Sequence, residues 1–310
     1  MRLYYRISGL QVASEIPLPG AIALSVPVSP SDVLVRRERA ISLPSKSQKL
    51  GPNWAIDGDR FLLRVPSIAK FLITAGRDIA IEVEPGVEEK DAIVFLLGTA
   101  FGVLLYQRRR IVLHASAILV GGRAVLLCGK SGAGKATLAA ALNERGYAHV
   151  TDDVCCVDFG AEGIPTVFPD GKMIKLWLDA VNELELGGRR GTAVRKSIDK
   201  FYVEPTSPLS ASAPPIAAIY ALREQRWPFE PGIEKPSTLD ASQILRRGLY
   251  RAGLMAKMGL SELFLARAAD IQRHAGLYYL TRPFDMAAMP AAITHLEAHW
   301  RTLGLTSAGT

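Results

Sequence analysis

The sequence predicts a mixed α/β fold, in which a β-rich N-terminal module precedes a nucleotide-binding core and C-terminal helices. Three observations support this prediction. Short apolar stretches separated by Pro, Gly and Ser fill the first part of the chain. A glycine-rich loop then lies between a strand-like apolar run and an Ala/Leu-rich helical run. At 310 residues with 49% hydrophobic composition, the chain is long and apolar enough to bury a sizeable core.

The elements follow from the pattern in order. The N-terminal module, 1–86, contains five strand-like stretches, at 2–7, 21–28, 32–36, 60–65 and 79–83. A second domain, 87–310, begins with one long connecting helix at 88–110, whose Gln-Arg-Arg-Arg end suits a helix C-terminus. Its nucleotide-binding core spans 111–205, with strands expected at 111–119, 124–128 and 150–157.

The remaining segments are less regular. Residues 186–200 are rich in glycine and basic residues and are typical of a mobile lid or an ordinary surface loop. Residues 207–215 (SPLSASAPP) predict a linker. In the C-terminal part, 216–310, a strand at 216–222 is expected to return to the sheet, and 239–274 and 289–303 predict helices.

The most informative motif is the glycine-rich loop GKSGAGKAT at 129–137. In such a loop, closely spaced glycines let successive backbone N–H groups converge on phosphate oxygens at the N-terminus of the next helix. The lysine reaches the β- and γ-phosphates. The loop therefore predicts nucleotide binding by Gly129, Lys130, Ser131, Gly132, Ala133, Gly134, Lys135, Ala136 and Thr137.

Ala136 departs from the usual motif. The residue after the loop lysine normally places a hydroxyl on Mg²⁺, and a methyl group cannot ligate a metal. Thr137 carries a hydroxyl, but one helical position later and about 100° around the axis. Two interpretations stay open: an enzyme with weakened Mg²⁺ binding, or a nucleotide-binding protein that transfers no phosphate.

An aspartate pair, Asp152 and Asp153, follows the loop helix at the end of a predicted strand. Carboxylates there face the metal and the attacking group. One can hold Mg²⁺ while its neighbour accepts the proton of a hydroxyl nucleophile, because adjacent strand residues point in different directions. His114 lies at the end of another apolar segment, and a lone histidine is more often structural than catalytic.

Basic residues beyond the core are further candidates. Lys175 and Trp177 alternate on a predicted strand and would share one face, so Lys175 either approaches the transferred phosphate or packs at a strand edge. Arg189, Arg190 and Arg195 either clamp a phosphate or peptide carboxylate, or lie on a solvated loop.

Composition limits the partners and the compartment. The formal net charge is +7, but no basic run is interleaved with aromatic residues, so acidic small ligands are favoured over nucleic acid. The three cysteines form neither a disulfide framework nor a zinc spacing, which predicts a reducing, cytoplasmic location. The apolar stretch 92–106 is too short for a membrane span. A homo-oligomer stays open.

The segments Leu113-His114-Ala115-Ser116, 129–137 and Gly146-Tyr147 leading to Asp152-Asp153-Val154 together resemble the catalytic core of the HPr serine kinase/phosphorylase family. The resemblance implies a core like that of phosphoenolpyruvate carboxykinase and ATP- and Mg²⁺-dependent phosphorylation of a seryl hydroxyl. It also implies that His114 sits near the transferring phosphate, that Lys135 neutralises it, and that Asp152 is the base while Asp153 binds metal.

Two flanking segments narrow the resemblance. Ala13-Ser14-Glu15-Ile16-Pro17-Leu18-Pro19 and Lys175-Leu176-Trp177-Leu178-Asp179-Ala180 resemble the HPr kinase-related proteins of bacterial lasso-peptide gene clusters. These phosphorylate the C-terminal serine of a precursor peptide, so the resemblance implies a precursor peptide as the partner. No Glu-x-Arg-Gly segment follows the core, but a dual HPr kinase/phosphorylase remains an alternative.

Overall fold

A computed structural model of the chain describes residues 2–26, 30–43, 49–160, 162–207 and 212–305. Within them the chain is a mixed α/β protein. The N-terminal strands are β1 (Leu3–Ile7), β2 (Leu10–Ser14), β3 (Val33–Arg37), β4 (Lys49–Leu50), β5 (Trp54–Asp57), β6 (Arg60–Val65), β7 (Ala69–Thr74) and β8 (Asp78–Val83). They form one sheet in the order β1-β2-β3-β8-β7-β6-β5-β4.

Apolar side chains on both faces of its strands explain why this sheet forms. On β6, Phe61 and Leu63 face the main core, whereas Leu62 faces a small apolar cluster on the other side, as the twofold repeat of a strand requires. The predicted strand at 21–28 is wrong for the described residues, since Ala21 and Ala23 form only isolated bridges and 27–29 lie outside them. Strands β2, β4, β5 and β7 were not predicted.

The connecting helix is real but interrupted. It consists of α1 (Glu89–Phe95), a π-helical turn (Leu96–Ala100) and α2 (Phe101–Gln107). Gly98 and Gly102 face the ring of Tyr250, and a methyl group added to either would press against it. The helix ends before the predicted arginine run.

The core contains two sheets that share neighbouring stretches of chain. Its strands and loop helix are β9 (Ile111–Leu113), β10 (Ala115–Val120), β11 (Arg123–Cys128), α3 (Lys135–Glu144), β12 (His149–Thr151), β13 (Cys155–Phe159) and β14 (Pro165–Val167). Strands β9, β13 and β14 pair with one another, whereas β10, β11 and β12 belong to a six-stranded sheet. The chain therefore crosses between the sheets twice, at His114 and at 152–154.

Another three-stranded sheet follows the two sheets of the core. It consists of β15 (Ile174–Trp177), which leads into α4 (Leu178–Glu183), and of β16 (Arg190–Arg195) and β17 (Ile198–Val203). The expectation of a lid or loop at 186–200 is wrong, because this segment holds a 3₁₀ turn (Leu186–Arg189), β16 and the start of β17. Arginine side chains lie over Phe201 and Phe95 and cover the hairpin.

The C-terminal part returns to the six-stranded sheet. It contains β18 (Ile216–Glu224), β19 (Gly232–Glu234), α5 (Thr238–Arg247), α6 (Ala252–Lys257), α7 (Ser261–His274), β20 (Gly276–Arg282) and α8 (Met289–Thr302). The strand order is β12-β10-β11-β18-β20-β19, and β18 runs parallel to both β11 and β20. The return strand and the helices are confirmed. Of the predicted linker 207–215, residues 208–211 lie outside the described ones.

The N-terminal sheet packs directly onto the core. One apolar cluster includes side chains of β1 to β3 and of β5 to β8 together with those of β9, β10 and β13. The turn at 170–172 is held from the N-terminal side, since the Ile22 N–H donates to Gly171 O (2.7 Å) and the Met173 N–H to Gly20 O (2.8 Å). A domain boundary near residue 86 stays a prediction.

Within the described part of the chain, no helix combines the length and the apolar character needed to cross a membrane.

Candidate functional site

The glycine-rich loop connects β11 to α3 in the predicted order. Gly132 (φ 83°) and Gly134 (φ 79°) adopt left-handed backbone conformations that favour glycine. Gly134 precedes the first residue of α3, so the loop leads into a helix N-terminus, where unpaired N–H groups favour an anion.

Lys135 is buried inside this loop. Its Nζ donates to Gly129 O (2.8 Å) and to Lys130 O (3.1 Å), so the loop backbone itself positions the ammonium group. Burial lowers the pKa of Lys135, and the nearby carboxylate of Asp152 opposes that shift. A phosphate placed at the loop would supply the negative charge that the ammonium group lacks there.

The aspartate pair lies where the chain crosses from β12 to β13. Asp152 is 6% exposed, and both of its oxygens accept hydrogen bonds, Oδ1 from Ser116 Oγ (2.7 Å) and Oδ2 from the Lys175 N–H (3.4 Å). Asp153 has a φ of 72°, which is unusual for a residue with a side chain and occurs often at functional sites. This backbone turn gives the two carboxylates different surroundings.

Asp153 joins three elements of the site. Its Oδ2 lies 3.0 Å from Lys175 Nζ, and its Oδ1 lies 3.1 Å from His114 Nδ1. Burial acts to raise the pKa of Asp153, but Lys175 and His114 hold it well below its usual range. Burial alone would lower the pKa of Lys175, but the negative charge of Asp153 outweighs this effect and raises the pKa above its usual value. The pair is therefore ionised at neutral pH.

The orientation of His114 follows from its acceptors. Its Nδ1 faces the carboxylate of Asp153 and also Asp153 O at 3.2 Å. Both neighbours are acceptors, so Nδ1 carries the hydrogen. The tautomer and the ring plane are set by Asp153.

Three buried residues that were not among the predicted site residues support the pair. Asp170 Oδ2 accepts from the Asp152 N–H (2.8 Å) and from Thr151 Oγ1 (3.1 Å), and Asp170 in turn pairs with Lys172 Nζ at 3.4 Å. Ser116 holds Asp152 from β10. The Asp-Gly-Lys turn at 170–172 was the one available signal, because an Asp-Gly step before a strand marks a tight turn.

The site opens into a cavity of about 890 Å³, lined by His114, Lys135, Asp152, Asp153, Lys175 and the loop residues Ser131, Gly132, Gly134, Ala136 and Thr137. The structure therefore brings together these six predicted parts. Of the three candidate arginines only Arg195 lines the cavity. Arg189 instead pairs with Glu144, and Arg190 lies over Phe201, so the structure does not bring them to the site.

Ala136 and Thr137 both line this cavity. The methyl group of Ala136 packs against a small apolar cluster that includes Ala140 and Leu176. No group of three or more His, Cys, Asp or Glu side chains among the described residues has the arrangement of a metal site. Mg²⁺ commonly binds through one or two carboxylates together with phosphate oxygens and water, so Asp152 and Asp153 fit the protein's share of such a site.

No protein-family model matches the chain, and no curated protein matches it. Among solved structures, the chain is similar to the HPr(Ser) kinase/phosphatase from Coxiella burnetii, with 13% sequence identity and a TM-score of 0.33. The similarity covers 62% of this chain and 98% of that one.

Proposed function

We propose that the chain is a phosphotransferase that moves the γ-phosphoryl group of ATP to a serine hydroxyl of a peptide. One observation carries the proposal: the glycine-rich loop with Lys135 and the cluster of Asp153, Lys175 and His114 line the same cavity. A loop for the donor phosphates and ionised groups for the reaction are the parts that phosphoryl transfer needs.

The donor side consists of backbone N–H groups and Lys135. The loop amides and the N-terminus of α3 would bind the phosphates, and the Lys135 ammonium group would neutralise charge that develops on the transferred group. Lys175, held by Asp153, adds a second positive charge to the same cavity.

We assign different roles to the two aspartates. The strongly lowered pKa of Asp153 makes it a poor proton acceptor and a good partner for a cation, so it is the proposed metal ligand, with Asp152 assisting. Mg²⁺ held by these carboxylates would offset the negative charge of the donor phosphates. Asp152 is the proposed base.

In the proposed reaction the seryl oxygen attacks the γ-phosphorus while the bond from that phosphorus to the β–γ bridging oxygen breaks. The seryl proton passes to Asp152, and ADP leaves with the former bridging oxygen. His114 is proposed to keep the Asp153 carboxylate oriented beside the transferred group.

The acceptor side of the cavity favours a peptide that carries a negative charge. Phe95 and Trp177 supply apolar surface, and Arg195, Lys200 and Arg251 supply positive charge. A C-terminal serine presents its hydroxyl and a carboxylate together, and arginine binds carboxylates well. We therefore propose a precursor peptide with a C-terminal serine as the substrate.

Incubation with γ-labelled ATP, Mg²⁺ and a matched set of peptides tests the proposal. Transfer is expected to a peptide ending in a free serine, and weaker transfer to its amidated form and none to its alanine form. The Lys135→Ala variant should lose transfer, whereas Lys70→Ala, which breaks an ion pair with Glu82 in the N-terminal sheet, should retain it. Absence of transfer to every serine peptide would overturn the proposal.

Ala136 favours a second candidate, a nucleotide-binding protein that recruits a peptide without phosphorylating it. Its methyl group occupies the position where a metal-binding hydroxyl is usual. Tight ATP binding with no transfer from ATP or polyphosphate to any peptide would support this candidate over the kinase.

A further inference from the structure

Arg282 is a buried arginine at the end of β20, beside the glycine-rich loop. It is 6% exposed, although arginine is almost never fully buried without a partner. Its Nη2 donates to Ala133 O (3.2 Å) and its Nη1 to Pro283 O (3.3 Å). A residue far along the chain thus touches the loop directly.

The Arg282 guanidinium lacks a counter-charge in the part of the chain that the structure describes. No carboxylate oxygen there lies within 4.0 Å of its nitrogens, and its Nε has no hydrogen-bond partner. The nearby Arg223 differs, because it pairs with Glu234 and donates from Nε to Thr281 Oγ1. Burial lowers the pKa of Arg282, which expresses the cost of this unpaired charge.

Unpaired N–H groups of a buried guanidinium are costly, so an arrangement of this kind favours an anionic ligand. The surroundings contain such a position. Arg282 lines a cavity of about 190 Å³ together with the loop residues from Lys130 to Ala133, and the exposed Glu224 also lines it. The same loop amides are the donors that a phosphate would use.

The loop is shaped around this side chain. Gly134 has a φ of 79°, and a Cβ built on it would collide with the Arg282 guanidinium. The backbone conformation therefore favours glycine at this position, and a larger residue would displace the guanidinium from its place beside the loop.

We propose that Arg282 binds a phosphate group of the donor, exchanging its contact with the Ala133 carbonyl for a charge-assisted hydrogen bond to a phosphoryl oxygen. The proposal rests on the proposed function in that the donor is a nucleotide. Arg282, at the end of β20, is then a second cation at the loop besides Lys135, the first residue of α3. The two side chains bring positive charge to the loop from two different elements.

Calorimetric titration with ATP and with inorganic pyrophosphate tests the proposal on the full chain. Arg282→Met should weaken both ligands by about 10- to 100-fold, the range of one lost charge-assisted hydrogen bond. Arg282→Lys should fall between this variant and the wild type. The matched control is Arg108→Met, because Arg108, at the end of α2, also donates to a backbone carbonyl, Gly76 O in the turn between β7 and β8. The affinities of this variant should be unchanged.

The melting temperature without ligand separates binding from structure. Arg282→Met should melt close to the wild type, because it loses two hydrogen bonds to carbonyl oxygens but also removes a buried charge that has no carboxylate partner among the described residues. Unchanged pyrophosphate affinity in this variant, or lost affinity together with a clear drop in melting temperature, would overturn the proposal. If the wild type binds pyrophosphate through Arg282 but transfers no phosphate to peptides, only the proposed function fails; if it binds neither ligand, both fail.

Discussion

Lys175 contacts both aspartates of the site, Asp153 through its side chain and Asp152 through its backbone. Its Nζ lies 3.0 Å from Asp153 Oδ2, and its N–H lies 3.4 Å from Asp152 Oδ2. The position of β15 therefore determines where both carboxylates lie relative to the loop.

Replacing Lys175 with methionine should lower kcat by about 10²- to 10³-fold, the effect of removing one preorganised electrostatic donor. The pKa of Asp153 should rise towards its usual range, because its main counter-charge is lost. Activity should then fall at a higher pH than in the wild type as the pH is lowered. A pH profile of kcat measures both effects, and Lys70→Met, which loses a similar 3.1 Å pair with Glu82, is the control. An unshifted acid limb would contradict the assigned role.

The two aspartates should respond differently to conversion into asparagine. Asp152→Asn is expected to lose about 10²- to 10⁴-fold in kcat with ATP affinity retained, because it removes the proposed base. Asp153→Asn should chiefly raise the Mg²⁺ concentration needed for half-maximal rate. Rates measured across a Mg²⁺ series distinguish the two. The opposite pattern would exchange their roles.

Ala136→Ser should lower the Mg²⁺ requirement of phosphoryl transfer, because it restores a hydroxyl at the usual metal-binding position on the wall of the cavity. Ala136→Gly changes the packing without adding a hydroxyl, so it should not lower that requirement. Titration of activity with Mg²⁺ gives the comparison. An equal effect of both variants would show that the serine acts through packing alone.

His149 should make the protein less stable in mild acid. Its ring lies buried on β12 and neither nitrogen has a hydrogen-bond partner among the described residues. Burial lowers the pKa of His149 in the folded state. Below the ordinary histidine pKa near 6.5 the unfolded chain therefore binds more protons than the folded one, and the stability falls as the pH is lowered.

Urea unfolding at pH 7.5 and 5.5 measures this dependence. Below pH 6.5, protonation of His149 in the unfolded chain lowers the free energy of unfolding by up to about 1.4 kcal/mol per pH unit, and His149→Leu should remove this contribution. His295→Gln, on an exposed part of α8, should keep the wild-type dependence. A dependence that is the same in His149→Leu and the wild type would place its cause elsewhere.

Local sequence patterns were sufficient to predict the elements at the centre of the site. The strand, loop and helix around Lys135, the return of β18 and the strand that carries Lys175 all follow from periodicity and glycine spacing. Such signals lie within a few residues of one another, and the roles assigned to the residues stay predictions.

Contacts between distant parts of the chain were not predictable in this way. His114 meets Asp153 only because the chain changes sheets at both positions, and nothing in either segment signals that change. Arg282 reaches Ala133 across 149 positions. The hairpin of β16 and β17 was missed because its glycines and arginines favour a loop, and packing against aromatic rings overrides that preference.

The turn at Gly171 links the N-terminal part of the chain to the aspartate pair. This glycine lies against the carbonyl of Arg6, and its own carbonyl accepts from Ile22, while the adjacent Asp170 holds the backbone of Asp152. A shortened chain that begins at residue 87 would keep the motif residues and lose the support that aims one of them. The proposed phosphotransferase activity is therefore expected to depend on the N-terminal sheet as well as on the glycine-rich loop and the aspartate pair.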